Sequence, residues 1–515
     1  MILSKNILPS VMDGTEELYY RIEGDVSFDF DRVCLKEGSV LSLDTFFNMF
    51  PLAQYREYTV VQDITVRTSV EGSVTTEIVG VKGGSEDVLC SSEDGYVEYT
   101  VISDRTYDWI FVRFVSKGES CVLSLPEYVS DCVPKGLRIT GVICTYRRED
   151  FVRRNMSNIT HYLEERDVPG EFSLFVVDNG NTLSDDEIEY SDRARLFHNP
   201  NTGGSGGFAR GMIESMESGF THSILMDDDI YVEPEILART VVLMNVLKEE
   251  YSRSNIVGQL LDSENPMIME ERVFDGEIMT SRFSHTDMSS VESLKRDVLD
   301  WGRCRGWWFC SLTLDEDCLP LPLFFQYDDL DYFLRNAENG VIGFTGVGIW
   351  HHSVVTALES KSKIMYYGER NRMIVEAVHK KRFTERLPHY LNRAARALSD
   401  KDYNSLKLLN TAMKDYLSGP EHIEGICNSD YDKIVRSMND SNPIRFGPVC
   451  KKDILVMIRN SLSKNGAIGL IDFIYTTASY MIKHKKVDKA YHTKYRKMRS
   501  TPYWKKTLRD EDGRL

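Results

Sequence analysis

The triplet Asp227-Asp228-Asp229 closes an apolar run, Ile224-Leu225-Met226, and is followed by Ile230-Tyr231. Three carboxylates at the end of a buried strand repel one another and raise each other's pKa, a cost that a divalent cation removes. On extended backbone, side chains two apart point to the same face, so Asp227 and Asp229 can share one ion. Oxygen ligands favour Mg²⁺ or Mn²⁺, which also bind diphosphate oxygens and offset charge on a departing phosphate. A surface acidic turn is the plainer reading of such a triplet. The apolar strand before it and Pro234 after it favour the metal. His351, behind the strand-like Gly348-Ile349-Trp350, supplies an imidazole as a third ligand.

Other candidates lie on both sides of the triplet. Upstream, Asn201-Thr202-Gly203-Gly204-Ser205-Gly206-Gly207-Phe208-Ala209-Arg210-Gly211 lacks the Gly-Lys-Ser/Thr ending of a P-loop. It follows Asn199-Pro200 rather than an apolar strand, so it is a poor dinucleotide fingerprint. It reads as backbone that approaches a phosphate or ribose closely, with Arg210 as an available cation. Asp178 ends a strand where a carboxylate can accept from uracil or ribose, and Thr145 and Arg148 end another. Downstream, Asp328-Asp329 follows Phe324-Phe325-Gln326-Tyr327 at an expected helix start. One of the pair suits N-capping, and the other is a candidate general base for an acceptor hydroxyl. Trp307-Trp308, after Gly306, reads either as core or as a platform for sugar C–H faces.

These residues need a frame that brings strand ends together. Between about Tyr19 and Pro134, short β-branched or aromatic runs (Thr59–Val61, Thr65–Thr68, Thr75–Val79, Tyr96–Val101, Trp109–Val112) alternate with Gly and Ser turns, which predicts a β-sandwich over 1–134. From 135 to 385 the rhythm becomes strand, helix, strand: Arg138–Thr145, a helix over Asp150–Glu165, Phe172–Val177, a helix over Gly207–Ser218, then the strand into the triplet. That order implies a mainly parallel α/β sheet with ligands at the carboxyl ends of its strands, where Thr145, Asp178 and Asp227 fall. Residues 386–515 read as helical with a basic tail.

A net charge of −17 disfavours nucleic acid as a partner. The ten cysteines form no C-x-x-C pair, which argues against a disulfide frame or structural zinc. The start of the chain lacks signal-peptide character and no apolar run spans a membrane, so a cytoplasmic location is expected. From Met481 to Leu515, twelve Lys/Arg stand against four acids, interleaved with Tyr491, Tyr495, Tyr503 and Trp504. Ahead of them, Ile468, Ile471, Ile474 and Tyr475 recur at helical spacing. Such a segment suits peripheral attachment to an anionic membrane surface on the inner face of the cell membrane, or is an ordinary helix with a solvated tail.

The ordered series Thr145-Tyr146-Arg147-Arg148, Asp178-Asn179-Gly180, the Asn201–Arg210 glycine run, Asp227–Asp229, Trp307-Trp308, Asp328-Asp329 and Ile349-Trp350-His351 resembles galactofuranosyltransferases of glycosyltransferase family 2, in particular those that polymerise cell-wall galactan. The resemblance covers roughly residues 141–371. It implies an α/β GT-A (Rossmann-like) catalytic domain, an N-terminal β-sandwich and a C-terminal helical region that aids membrane association and oligomerisation. It further implies a UDP-sugar donor and a glycan or lipid-linked glycan acceptor. Asp227, Asp229 and His351 would hold Mn²⁺ or Mg²⁺, and Arg148, Asp178 and Asn201 would contact UDP. Asp329 would be the base, with Asp328 and Trp308 at the acceptor. Thr145, Gly204, Arg210, Asp228 and Trp307 complete the expected substrate contacts. Leu261–Leu299 matches no motif of the family, so the acceptor is not legible. The rival readings are another nucleotide sugar, rhamnosyl or glucosyl, and a non-catalytic carbohydrate-binding protein.

Overall fold

The computed structural model describes residues 1–29, 32–101, 107–188, 192–270, 273–275, 278–280, 286–294, 306–352, 360–440, 444, 451–461 and 463–509. Parts of the segment 261–299 and the last residues of the basic tail therefore lie outside the described residues.

At the centre is a five-stranded sheet in the order Ala194–His198, Glu171–Asp178, Arg138–Thr145, His222–Asp227, Phe309–Thr313. The first four are parallel and the last is antiparallel. The central strands are almost continuously apolar, as strands covered on both faces must be. Helices Glu149–Glu165 and Gly203–Glu217 follow the first and third strands in chain order; the predicted alternation holds apart from the strand Ala194–His198, which it did not include. A second, smaller sheet pairs Gln259–Asp262 in parallel with Gly348–His351.

Before this sheet, nine strands join into one antiparallel hydrogen-bonded sheet. Two strands, Ile64–Lys82 and Trp109–Val129, pair along most of their lengths with bulges. The separately expected runs 65–68 and 75–79 are thus one strand, because the bulges absorb the glycine between them without breaking the ladder. Thr59–Val61 is not a strand: Thr59 follows the helix Leu52–Tyr58 and makes a lone bridge to Leu247. The sequence argued against a disulfide frame; one pair, Cys34 and Cys121, is nevertheless opposed on neighbouring strands and forms a disulfide.

One apolar core runs from this sheet into the α/β sheet, with Phe47 against Trp350 at 5.3 Å between ring centres. Buried acids stitch the same boundary. Glu233 accepts from the Tyr19 hydroxyl at 2.6 Å and from the Ser10 amide at 2.9 Å. A second core belongs to the helices Gly368–Val378, Phe383–Ser399, Tyr403–Ser418 and Lys464–Met498, and takes in Leu321, Leu323 and Phe324. No described helix is long and apolar enough to cross a membrane.

Candidate active site

Parallel register sets the floor of the site. Thr145 lies level with Asp178 on one side, and Cys144 level with Asp227 on the other. Past Asp227 the chain turns, and Tyr231 and Trp350 exchange backbone hydrogen bonds of 2.8 and 2.9 Å. That bridge draws the strand of the second sheet against the acid turn and delivers His351. The His351 Nε2 stands 3.5 Å from Asp227 and 3.3 Å from Asp229, and one ligand atom from each of the three residues lies within 4.8 Å of the other two. The His351 Nδ1 faces the His352 carbonyl at 2.8 Å, so a neutral ring leaves Nε2 free toward the carboxylates. Two hard oxygens and one imidazole nitrogen, backed in this way, fit Mn²⁺ or Mg²⁺.

In the metal-free chain protons respond to the same crowding. Burial opposes a charged imidazole, yet the bonds to Asp227 and Asp229 raise His351 to about 10. Burial also acts against ionised Asp229, but the His351 and Arg148 cations outweigh it and leave Asp229 at about 2. Asp228 points the other way. It accepts from the Thr145 hydroxyl at 2.7 Å and from Arg148 at 3.0 Å, and burial lifts it to about 6. Thr145, Arg148 and Asp228 therefore bind one another here, while Arg148 also reaches Asp229. Asn155 was not expected from sequence, since it reads only as a helix residue. Its buried amide donates to the carbonyls of Asp228, at 3.1 Å, and Ile230, at 3.0 Å, and so holds the acid turn in shape.

The glycine run departs from expectation. The helix begins at Gly203, not Gly207. Gly203 has φ +75°, and a Cβ there would lie 1.8 Å from the Phe324 carbonyl oxygen. Added Cβ atoms at Gly207 and Gly211 would sit 2.0 Å from the Cys144 Sγ and 2.3 Å from Val142. These glycines let the helix lie close on the central strand, a packing need rather than a ligand need. A Cβ at Gly204 would meet nothing within 4 Å, so this position faces open space. Asn201 accepts from the Gly203 amide at 3.0 Å, turning the chain into the helix.

Three expected ligand contacts are corrected. Asp178 is fully buried and accepts from the amides of Gly180, Thr182 and Leu183 at 2.6–2.9 Å, so it shapes its own loop rather than facing a nucleotide. Arg210 is buried on its helix and paired with Glu214 at 2.8 Å, one turn on, over the Phe197 ring. Trp307 is core, edge-on to Phe208 and Tyr332 at 5.7 and 5.5 Å. Trp308 instead borders the acid strand: its carbonyl accepts from the Asp227 amide at 3.1 Å.

Asp328 and Asp329 open the helix Asp328–Arg335. Ser205, from the glycine-run helix, donates to Asp328 at 3.0 Å and couples the two elements. Burial holds both carboxyls above the ordinary range, and Asp329 is the higher because Asp328 beside it repels a second charge. Asp227 is close enough to raise both further, which places the pair in the field of the Asp227–Asp229–His351 cluster. The approach to the pair is unusual: Phe324, Gln326 and Tyr327 all have positive φ, of 67°, 66° and 72°. For side chains with a Cβ, each such residue costs about 1–2 kcal/mol.

The aromatic tail is also corrected. Trp504 and Tyr491 are fully buried, and the Trp504 Nε1 donates to the Pro320 carbonyl at 2.9 Å beneath the glycine-run helix. What stays exposed is an apolar stripe of Ile468, Ile471, Ile474, Tyr475, Met481 and Ile482, leading into Lys483, Lys485 and Lys486.

No family model matches the chain. It is 26% identical over 439 residues to galactofuranosyltransferase GlfT2 of Mycobacterium tuberculosis (strain ATCC 25618 / H37Rv), covering 77% of this chain and 68% of that protein. It is 25% identical over 431 residues to GlfT2 of Mycolicibacterium smegmatis, covering 76% and 66%. The chain thus spans about two thirds of the length of these relatives, and the similarity makes it a glycosyltransferase. Among solved structures, the mannosyltransferase PcManGT from Pyrobaculum calidifontis in complex with GDP-Man and Mn²⁺ is 11% identical, covers 73% of this chain and 88% of its own, and has a TM-score of 0.29. That score is too low to assign a fold.

Proposed function

We propose that the chain is an inverting, metal-dependent galactofuranosyltransferase of GT-A architecture that moves galactofuranose from UDP-galactofuranose onto a glycan acceptor. The observation that carries the reading is the cluster of Asp227, Asp229 and His351 beside the raised carboxyls of Asp328 and Asp329. Asp227, Asp229 and His351 would hold Mn²⁺ or Mg²⁺, which when bound supplies positive charge to a diphosphate leaving group. Asp329 takes the proton from the acceptor hydroxyl as its oxygen bonds the anomeric carbon. The bond from that carbon to the UDP oxygen breaks on the opposite face, so configuration inverts. Asp328, held by Ser205, orients the acceptor, and Trp308 borders the sugar. Gly204 is the open position of the glycine run toward the donor. Arg148 exchanges its carboxylate partners for phosphate oxygens when donor binds. Attachment to an anionic surface rests on the exposed isoleucine stripe and its lysines, not on the buried tail aromatics.

The test is UDP release with Mn²⁺ across a panel of nucleotide sugars, with and without galactan or lipid-linked acceptors. Acceptor-dependent turnover of UDP-galactofuranose above the other donors is expected. Selective turnover of a rhamnosyl or glucosyl nucleotide would move the specificity and refute the donor assignment.

A further inference from the structure

The chain reaches Asp328-Asp329 through three left-handed residues within four positions, Phe324, Gln326 and Tyr327, none of them glycine. Such backbone persists only where its surroundings over-determine it. Within the loop 323–327, the carbonyls that this shape turns outward converge on two adjacent residues of the helix Gly368–Val378. The Asn371 Nδ2 lies 3.2 Å from the Leu323 oxygen, 2.6 Å from the Phe325 oxygen and 3.0 Å from the Gln326 oxygen. Arg370 donates to the Leu323 oxygen at 2.6 Å, and its Nε donates to the Asn371 Oδ1 at 2.8 Å. That second bond orients the amide so that its NH₂ group faces the loop. Both side chains are fully buried, and Arg370 is sandwiched against Tyr366 and Tyr367, at 5.1 and 5.0 Å from their ring centres. Phe324 stacks on Tyr367 at 5.5 Å, closing the apolar side of the loop.

We propose that Asn371, oriented by Arg370, is a positioning residue that clamps the left-handed loop 323–327 and thereby sets where the Asp328–Asp329 pair meets the acceptor. An apolar residue in its place would leave the Phe325 and Gln326 carbonyls without this donor, with only the Leu323 carbonyl still held by Arg370, and the loop would relax toward ordinary φ. The catalytic assignment of Asp329 comes from the function proposed above; the clamp itself does not depend on it. On this view the helical layer is more than a support: it carries the device that aims the base.

Asn371→Leu tests the clamp by two independent readouts. Hydrogen exchange across residues 323–331 is expected to quicken at least about tenfold while exchange in the central sheet is unchanged. Metal-dependent UDP affinity should stay within about twofold, whereas kcat for sugar transfer should fall by about 30-fold or more. Adding Gln326→Gly should recover much of that loss, because glycine takes positive φ without a clamp. If Asn371→Leu does not fold, Asn371→Asp, which keeps the shape but not the donor, is read the same way. Unchanged exchange in 323–331 would overturn the clamp whatever the activity. Quickened exchange with unchanged kcat would overturn its positioning role. Quickened exchange in Asn371→Leu, together with a wild-type chain that turns over no nucleotide sugar, would leave the clamp standing and remove the proposed function.

Discussion

Metal affinity at the Asp227–Asp229–His351 cluster should climb steeply with pH. In the metal-free chain the two carboxylates overcome burial and raise His351 to about 10. An imidazole can ligate only after losing that proton, so binding and deprotonation are linked. At pH 7 the gap is about three units, and at about 1.4 kcal/mol per unit the proton costs binding about 4 kcal/mol. The sign follows directly. Affinity rises about tenfold for each pH unit between about 7.5 and 8.5, and levels off only as pH nears the raised pKa. The same raised pKa stabilises the metal-free fold below about pH 6.5, and this contribution fades as pH rises toward about 10. Titration calorimetry of Mn²⁺ with saturating UDP, at about pH 7.5 and 8.5 in buffers of different ionisation enthalpy, counts the protons. About one should be released per ion. His351→Gln should bind more weakly at the higher pH and lose both the slope and the proton. A wild-type chain with pH-independent affinity and no proton release would refute the assignment of His351 as a ligand.

Asp329→Asn should lower kcat by about 10²–10⁴-fold, the usual worth of a general base, with metal-dependent UDP affinity nearly unchanged; retained turnover would remove Asp329 from the mechanism. Because Asp329 must be ionised to accept a proton and its pKa is raised, the wild-type rate should fall on the acid side along a limb well above the ordinary carboxylate range, seen in a kcat–pH profile. Gly207→Ala should destabilise by about 1–3 kcal/mol in urea unfolding, since its Cβ would meet the Cys144 Sγ at 2.0 Å, and Cys144→Ala in the same chain should restore most of the loss. Trp504→Ala should cost about 3–5 kcal/mol of stability by emptying a fully buried site, an effect that a solvated or membrane-bound tail would not produce.

Much of the site was legible because local spacing carried it. The period-two geometry of a strand alone puts Asp227 and Asp229 on one face, and apolar runs broken by polar ends foretold the parallel strands and the level at which Thr145, Asp178 and Asp227 meet. Composition and order along the chain also announced a strand-rich beginning and a helix-rich end. Residue type could not say which polar groups face a ligand and which face their own backbone. Asp178 and Arg210 look alike in sequence to any site residue, but turn and helix geometry spend their hydrogen bonds internally. The packing role of Gly203, Gly207 and Gly211 was hidden for the same reason, because the surfaces their missing Cβ atoms accommodate, Phe324, Cys144 and Val142, lie far away in the chain. His351, already a candidate ligand in the sequence, is brought to the two carboxylates by the Tyr231–Trp350 bridge, and Asn371 finds its carbonyls only once a distant helix packs on the loop. Periodicity is local and survives in one dimension. Long-range convergence depends on packing, and only the folded chain decides it.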